Sequence, residues 1–111
     1  GLFGSSTGAA AALTVAARRP GLVGAVVSRG GRVDLAGQAL PSVTAPVLMI
    51  VGGEDRAVLA LNEAALDDLA CERRLEIVPG AGHLFGEPGA LERVAVLARE
   101  WFRRYLGQSD A

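Results

Sequence analysis

Val47-Leu48-Met49-Ile50-Val51 is an unbroken apolar run that follows Pro46 and stops at Gly52-Gly53. A short run with no polar alternation predicts a strand covered on both faces, as in the middle of a parallel sheet. Leu22 to Ser28, with three valines, reads as a second buried strand, and Arg74 to Val78 as a third. Leu2 and Phe3 read as the last residues of a further strand that leads into Gly4-Ser5-Ser6-Thr7-Gly8, a tight turn. Between these runs the period lengthens. Ala9 to Arg19 is alanine-rich, has arginines in its last turn and is stopped by Pro20-Gly21, which predicts a helix. Ala57 to Ala70 predicts another, with Leu61, Ala65, Leu66 and Leu69 facing the core. Glu87 and Pro88 open a last helix whose apolar stripe is Leu91, Val94, Ala98, Trp101, Phe102 and Tyr105. Val33 to Ala45 reads as a loop with one helical turn at most.

Strands alternating with helices predict an α/β fold built from parallel βαβ units with right-handed crossovers and helices on both faces of the sheet. With 111 residues there is room for one domain, here residues 1–106, followed by a polar tail at 107–111. The formal charge of −1 leaves no basic footprint for nucleic acid, and no segment has the length and apolarity of a membrane span or a signal peptide. A cytoplasmic protein is expected. The chain begins with Gly1, so its true start lies open. All eleven basic side chains are arginine, which reads as coding bias before function. One cysteine, Cys71, excludes an internal disulfide and a cysteine-rich metal site; beside Glu72, Arg73 and Arg74 it reads as part of a surface helix end.

Three loops carry candidate chemistry, and each follows a predicted strand, where sites form in parallel α/β sheets. Gly4-Ser5-Ser6-Thr7-Gly8 fits G-x-S-x-G, in which the serine sits on a strained strand-to-helix turn and the flanking glycines leave room for it. Ser5 lacks a glycine two residues before it, so Ser6 is the candidate nucleophile. In so glycine-rich a chain the same pattern also fits a plain turn. His83 is the one histidine and follows Pro79-Gly80-Ala81-Gly82. It fits a general base, or a polar loop residue bonded to backbone. Asp55 fits a carboxylate that orients His83, or an ordinary helix N-cap. Glu54 is one residue off the expected position, and Asp34 is the rival acid. The helix that starts at the elbow would aim the Thr7 amide at a developing oxyanion. Arg29 and Arg32 fit either solvated side chains or contacts to an anionic substrate group. The chain order Ser, Asp, His is that of the α/β-hydrolases among Ser-His-Asp enzymes.

The elbow segment, Pro46 to Asp55, and Pro79 to His83 resemble the nucleophile, acid and histidine segments of the dienelactone-hydrolase-like branch of the α/β-hydrolase superfamily. Val27-Ser28-Arg29-Gly30-Gly31-Arg32 and Asp34-Leu35-Ala36-Gly37 resemble bacterial members of that branch, some of which carry a phosphoribosyltransferase domain ahead of the hydrolase domain. The resemblance covers Gly1 to Leu106 and implies the C-terminal part of such a domain, from the nucleophile elbow onward. It implies catalytic Ser6, Asp55 and His83, an oxyanion contact from Thr7, and neither metal nor organic cofactor. Dienelactone hydrolases proper use cysteine as nucleophile; Ser6 at this position favours general acyl-ester hydrolysis over lactone chemistry. The branch also has strands ahead of the elbow, and a loop among them gives a second oxyanion N–H. This sequence does not contain them, so the parent chain is expected to supply them. The short Arg29–Ala45 segment leaves no space for a cap domain, which implies an open site and a small acyl substrate. A non-catalytic module, or an acyltransferase or peptidase on the same fold, remains the alternative.

Overall fold

The computed structural model describes residues 1–107. The elements, in chain order, are β1 (Leu2–Ser5), α1 (Thr7–Arg18), β2 (Val26–Arg29), a 3-10 segment (Val33–Ser42), β3 (Val47–Gly52), α2 (Arg56–Asp68), β4 (Arg73–Val78) and α3 (Ala90–Leu106). All four strands are parallel and lie in the order β1-β2-β3-β4. Four parallel strands in chain order fit the partial α/β-hydrolase sheet that the resemblance implies. Strands laid down in sequence with crossovers of one hand put every connection on the same face. Accordingly α1, the 3-10 segment and α2 share one core with Val26, Val47 and Met49, including Leu13, Leu40 and Leu69. The opposite face is left to α3, where Val94, Leu97, Ala98 and Trp101 pack on Val27, Leu48 and Ile50 with Phe85. β3 is buried along its whole length, as its unbroken apolar run requires.

Several boundaries differ from the sequence expectation for physical reasons. The valine run enters its strand only at Val26; Leu22 is 75% exposed in the turn before it. Val33 to Ser42 is ordered rather than loop, because Val33, Ala36 and Leu40 recur at near-helical spacing and bury a stripe against α1 and α2. Gly37, at φ 44°, breaks it into two short pieces. α3 starts at Ala90, not at Glu87-Pro88, with Gly89 in a left-handed conformation at its cap. Leu97 joins the buried stripe, whereas Leu91 is 49% exposed. On α2 the buried positions are Asn62 and Ala65, with Leu69 just past its end, while Leu61 is only half-buried. Of the expected tail, residues 108–111 lie outside the described residues. No helix among the described residues is long and apolar enough to cross a membrane.

Candidate active site

The three chemistry-bearing loops leave the carboxyl ends of β1, β3 and β4 and converge above the sheet. Ser6 lies between β1 and α1 with φ 50° and ψ −123°, a region that L-residues rarely occupy and that costs about 1–3 kcal/mol. Gly4 makes this elbow possible. A Cβ there would lie 2.5 Å from the Gly8 carbonyl oxygen and 2.7 Å from Ala9 Cα, so any larger residue would push α1 off the strand. The second glycine of the pattern has no such role, since a Cβ on Gly8 would meet nothing within 4 Å. The elbow is held on its other side by the last residue of β2 and the turn that follows it. Ser6 N–H donates to the Arg29 carbonyl at 3.3 Å, and Arg32 N–H donates to the Ser6 carbonyl at 2.9 Å.

Asp55 occupies the N-cap position of α2, but its carboxylate caps no helix amide. It lies 2.7 Å from His83 Nδ1 instead, and His83 Nε2 lies 2.8 Å from Ser6 Oγ. The roles in this row follow from the groups. An ionised carboxylate only accepts, so Nδ1–H donates to Asp55; the neutral ring then accepts at Nε2, and the Ser6 hydroxyl donates. The Asp55 side chain is mostly covered, at 13% exposure, whereas that of His83 is 40% exposed and open to solvent.

Backbone pairing sets the distance between acid and histidine. Gly53 N–H donates to the Val78 carbonyl and Glu54 N–H to the Ala81 carbonyl, each at 2.9 Å, so the two loops are zipped together. Glu54 itself points into solvent. Glu87 braces the histidine loop by accepting from Gly82 N–H at 3.1 Å. Phe85, two residues past the histidine, is 1% exposed, has φ 55° and anchors the loop in the α3-side core. Sequence reasoning missed both of these residues. The available signal was a lone aromatic in a glycine-rich loop, which has no reason to be there unless buried.

The rival acid goes elsewhere. Asp34 forms a two-pronged pair with Arg32, both contacts at 3.0 Å. The hydrogen bond from Arg32 holds the Asp34 carboxyl below its ordinary value. Arg32 is thereby occupied, while the Arg29 guanidinium lies over the Phe85 ring at 5.6 Å. Thr7 is the first residue of α1, where an N–H has no intrahelical acceptor. Cys71 lies beyond the end of α2, half-buried, and burial pushes its thiol up. Among the described residues no cluster of His, Cys, Asp and Glu could hold a metal ion.

Comparison with known proteins agrees with this arrangement of strands and loops. Residues 1–106 match the model of the dienelactone hydrolase family. A crystal structure of a dienelactone hydrolase from Anabaena variabilis ATCC 29413 is similar, with a TM-score of 0.91 and 62% identity over 93% of this chain and 48% of that one. A structure titled as a "predicted CIB-like hydrolase" from Thermoplasma acidophilum shares the fold, with a TM-score of 0.75 at 21% identity over 92% of this chain and 49% of that one. Among curated proteins, one named "Putative phosphoribosyl transferase" from Mycobacterium tuberculosis is 58% identical over 106 residues, 96% of this chain and 24% of its own length. The chain thus spans about half of the solved structures and about a quarter of the curated relative. By the family match over nearly its whole length, the chain belongs to the dienelactone hydrolase family.

Proposed function

We propose that this domain hydrolyses a small ester or related acyl substrate, with Ser6 as nucleophile, His83 as base and Asp55 as the acid that orients it. The observation that carries this reading is the row of two short hydrogen bonds, Ser6 Oγ to Nε2 and Nδ1 to Asp55. As Ser6 Oγ attacks the acyl carbon, its proton passes to Nε2 and the carbonyl π electrons move to oxygen. The Thr7 N–H donates to that oxyanion, and Asp55 stabilises the imidazolium. Collapse of the intermediate expels the alcohol, which takes the proton from Nε2 and leaves an acyl-Ser6. Water then gives a proton to Nε2 and attacks the acyl carbon. Ser6 leaves with that proton, and the acid product is released.

The unpaired outer edge of β1 and the half-exposed Phe3 favour further strands from the rest of the polypeptide. The name of the curated relative favours a parent protein in which this domain lies beside a phosphoribosyltransferase segment.

The test is fluorophosphonate labelling of the full-length polypeptide, with the modified residue located by peptide mass spectrometry. Labelling at Ser6, absent in Ser6→Ala, is the expected result. A folded protein that takes no label would instead favour a hydrolase-fold module without catalysis. Product analysis with a competing alcohol or amine separates hydrolysis from acyl transfer.

A further inference from the structure

Asn62 is fully buried on α2, at a position where the helix presents its core face. Its Nδ2 donates to the Gly31 carbonyl at 2.9 Å and to the Val58 carbonyl at 2.8 Å. Two carbonyl acceptors on one nitrogen fix which way the amide points. Its Oδ1 is buried with no partner among the described residues. A buried, unpaired carbonyl is a standing cost that a leucine of similar size would not carry, so packing alone does not explain an asparagine here.

The bond to Gly31 reaches the nucleophile in one step. The Gly31 carbonyl and the Arg32 N–H belong to the same peptide unit, which is planar and carries the two groups on opposite sides. Asn62 holds one side of that plane, and the other side donates to the Ser6 carbonyl at 2.9 Å. Gly31 is closely surrounded, since a Cβ there would run into Ser28 Oγ and Ala9 Cβ. A strained residue keeps its conformation only when its surroundings over-determine it, and Ser6 has φ 50°. Asp55 is the N-cap residue of α2, about two turns before Asn62, so one helix carries the acid at its entry and grips the elbow further along.

We infer that Asn62 is a positioning residue that acts through the Gly31–Arg32 peptide to hold Ser6 in its strained conformation and in register with the Asp55–His83 pair. This rests on the acyl-transfer reading above, and it adds a residue that touches neither substrate nor reacting atoms.

The test compares wild type, Asn62→Leu and Asn62→Ser in the full-length polypeptide. Leucine removes both hydrogen bonds at similar volume. Serine can still bond back to the Val58 carbonyl but falls short of Gly31. Three readouts are taken on folded protein: the second-order rate of fluorophosphonate labelling, kcat and KM on a p-nitrophenyl ester, and hydrogen exchange at the Arg32 amide. Both variants are expected to lose on the order of 10- to 100-fold in labelling rate and kcat, as misplacement of a nucleophile does. KM should move less than about twofold, because ground-state binding is left alone. The pH profile should keep its shape, because the His83–Asp55 pair is untouched, and Arg32 exchange should quicken. Unchanged labelling and unchanged Arg32 exchange in folded variants would overturn the inference. So would a kcat loss matched by a shifted pH profile, which would place the effect on His83. If wild type itself takes no label, the acyl-transfer reading fails, and Arg32 exchange alone decides whether Asn62 holds the elbow.

Discussion

Two aspartates compete for one histidine, and their surroundings separate them. Asp55 reaches His83 at 2.7 Å, whereas Asp34 is taken by Arg32. Asp55→Asn should therefore lower kcat by about 10³- to 10⁴-fold, because an amide that donates to Nδ1 imposes the wrong tautomer. Asp34→Asn should change it by less than about twofold. Ester-hydrolysis rates for the two variants side by side check this, and the reverse order would move the acid to Asp34. Asp34 has its own signature in stability. Its carboxyl is held below the ordinary 3.8 by the hydrogen bond from Arg32. The ionised form is thus favoured in the folded state. The stabilisation is fully present above the unfolded value and is lost as the pH falls through the lower, folded one. Denaturant midpoints of wild type and Asp34→Asn should differ slightly at neutral pH, the pair being partly solvated, and converge as the pH falls through the lowered folded value. A gap that widens in acid would contradict the assignment.

At the scale of elements, the elbow depends on how closely α1 approaches β1. Gly4→Ala forces a Cβ against the backbone of Gly8 and Ala9, and backbone cannot rotate away as a side chain would. The variant should lose about 1–3 kcal/mol, the usual cost of overpacking, and should lose labelling at Ser6 as well. Gly8→Ala, with open space around it, should cost far less. Urea denaturation of the pair tests this, and equal losses would mean that the glycines act through chain flexibility rather than contact. The same scale shows why some elements were legible and others not. The β3 run and the alanine-rich α1 carry their structure in local pattern. The 3-10 segment does not, because Gly37 and Pro41 read as breakers, and its order comes from burying Val33, Ala36 and Leu40 against two helices. The start of α3 was misjudged because Pro88 looks like a first-turn residue, while Gly89 supplies the actual cap.

The whole molecule has unequal edges. β4 is the charged edge, with Arg73, Arg74 and Glu76 along it and an Arg74–Glu76 ion pair at 2.8 Å. Such charges discourage strand addition. β1 has no such guard: Phe3 is 50% exposed, and Val15 on the adjoining helix is 46% exposed. Leu2 N–H pairs toward β2, so by alternation the Phe3 and Ser5 amides face outward. These two amides should exchange at nearly unprotected rates in the isolated 1–107 segment and become protected by about 100-fold or more in the full-length polypeptide, if a strand pairs there. Rapid exchange in both would leave β1 a true edge and remove the case for strands supplied from elsewhere.

Taken by itself, the sequence determined the strands' apolar runs, the parallel α/β class and the order Ser6, Asp55, His83, because these depend on local periodicity and on residue types with few alternatives. It could not choose between Asp55 as helix cap and Asp55 as partner of His83, since both uses place an aspartate at the same spot. Only the tertiary structure decided that, by zipping the Gly53–Glu54 backbone to the histidine loop across β3 and β4. Asn62 stayed hidden for a related reason. In the sequence it is one polar residue in a helix, and its meaning arises when the fold brings the peptide after Gly31 within hydrogen-bond reach. Contacts between residues far apart in the chain leave no periodic trace, and it is such contacts that hold the serine, the imidazole and the carboxylate in line.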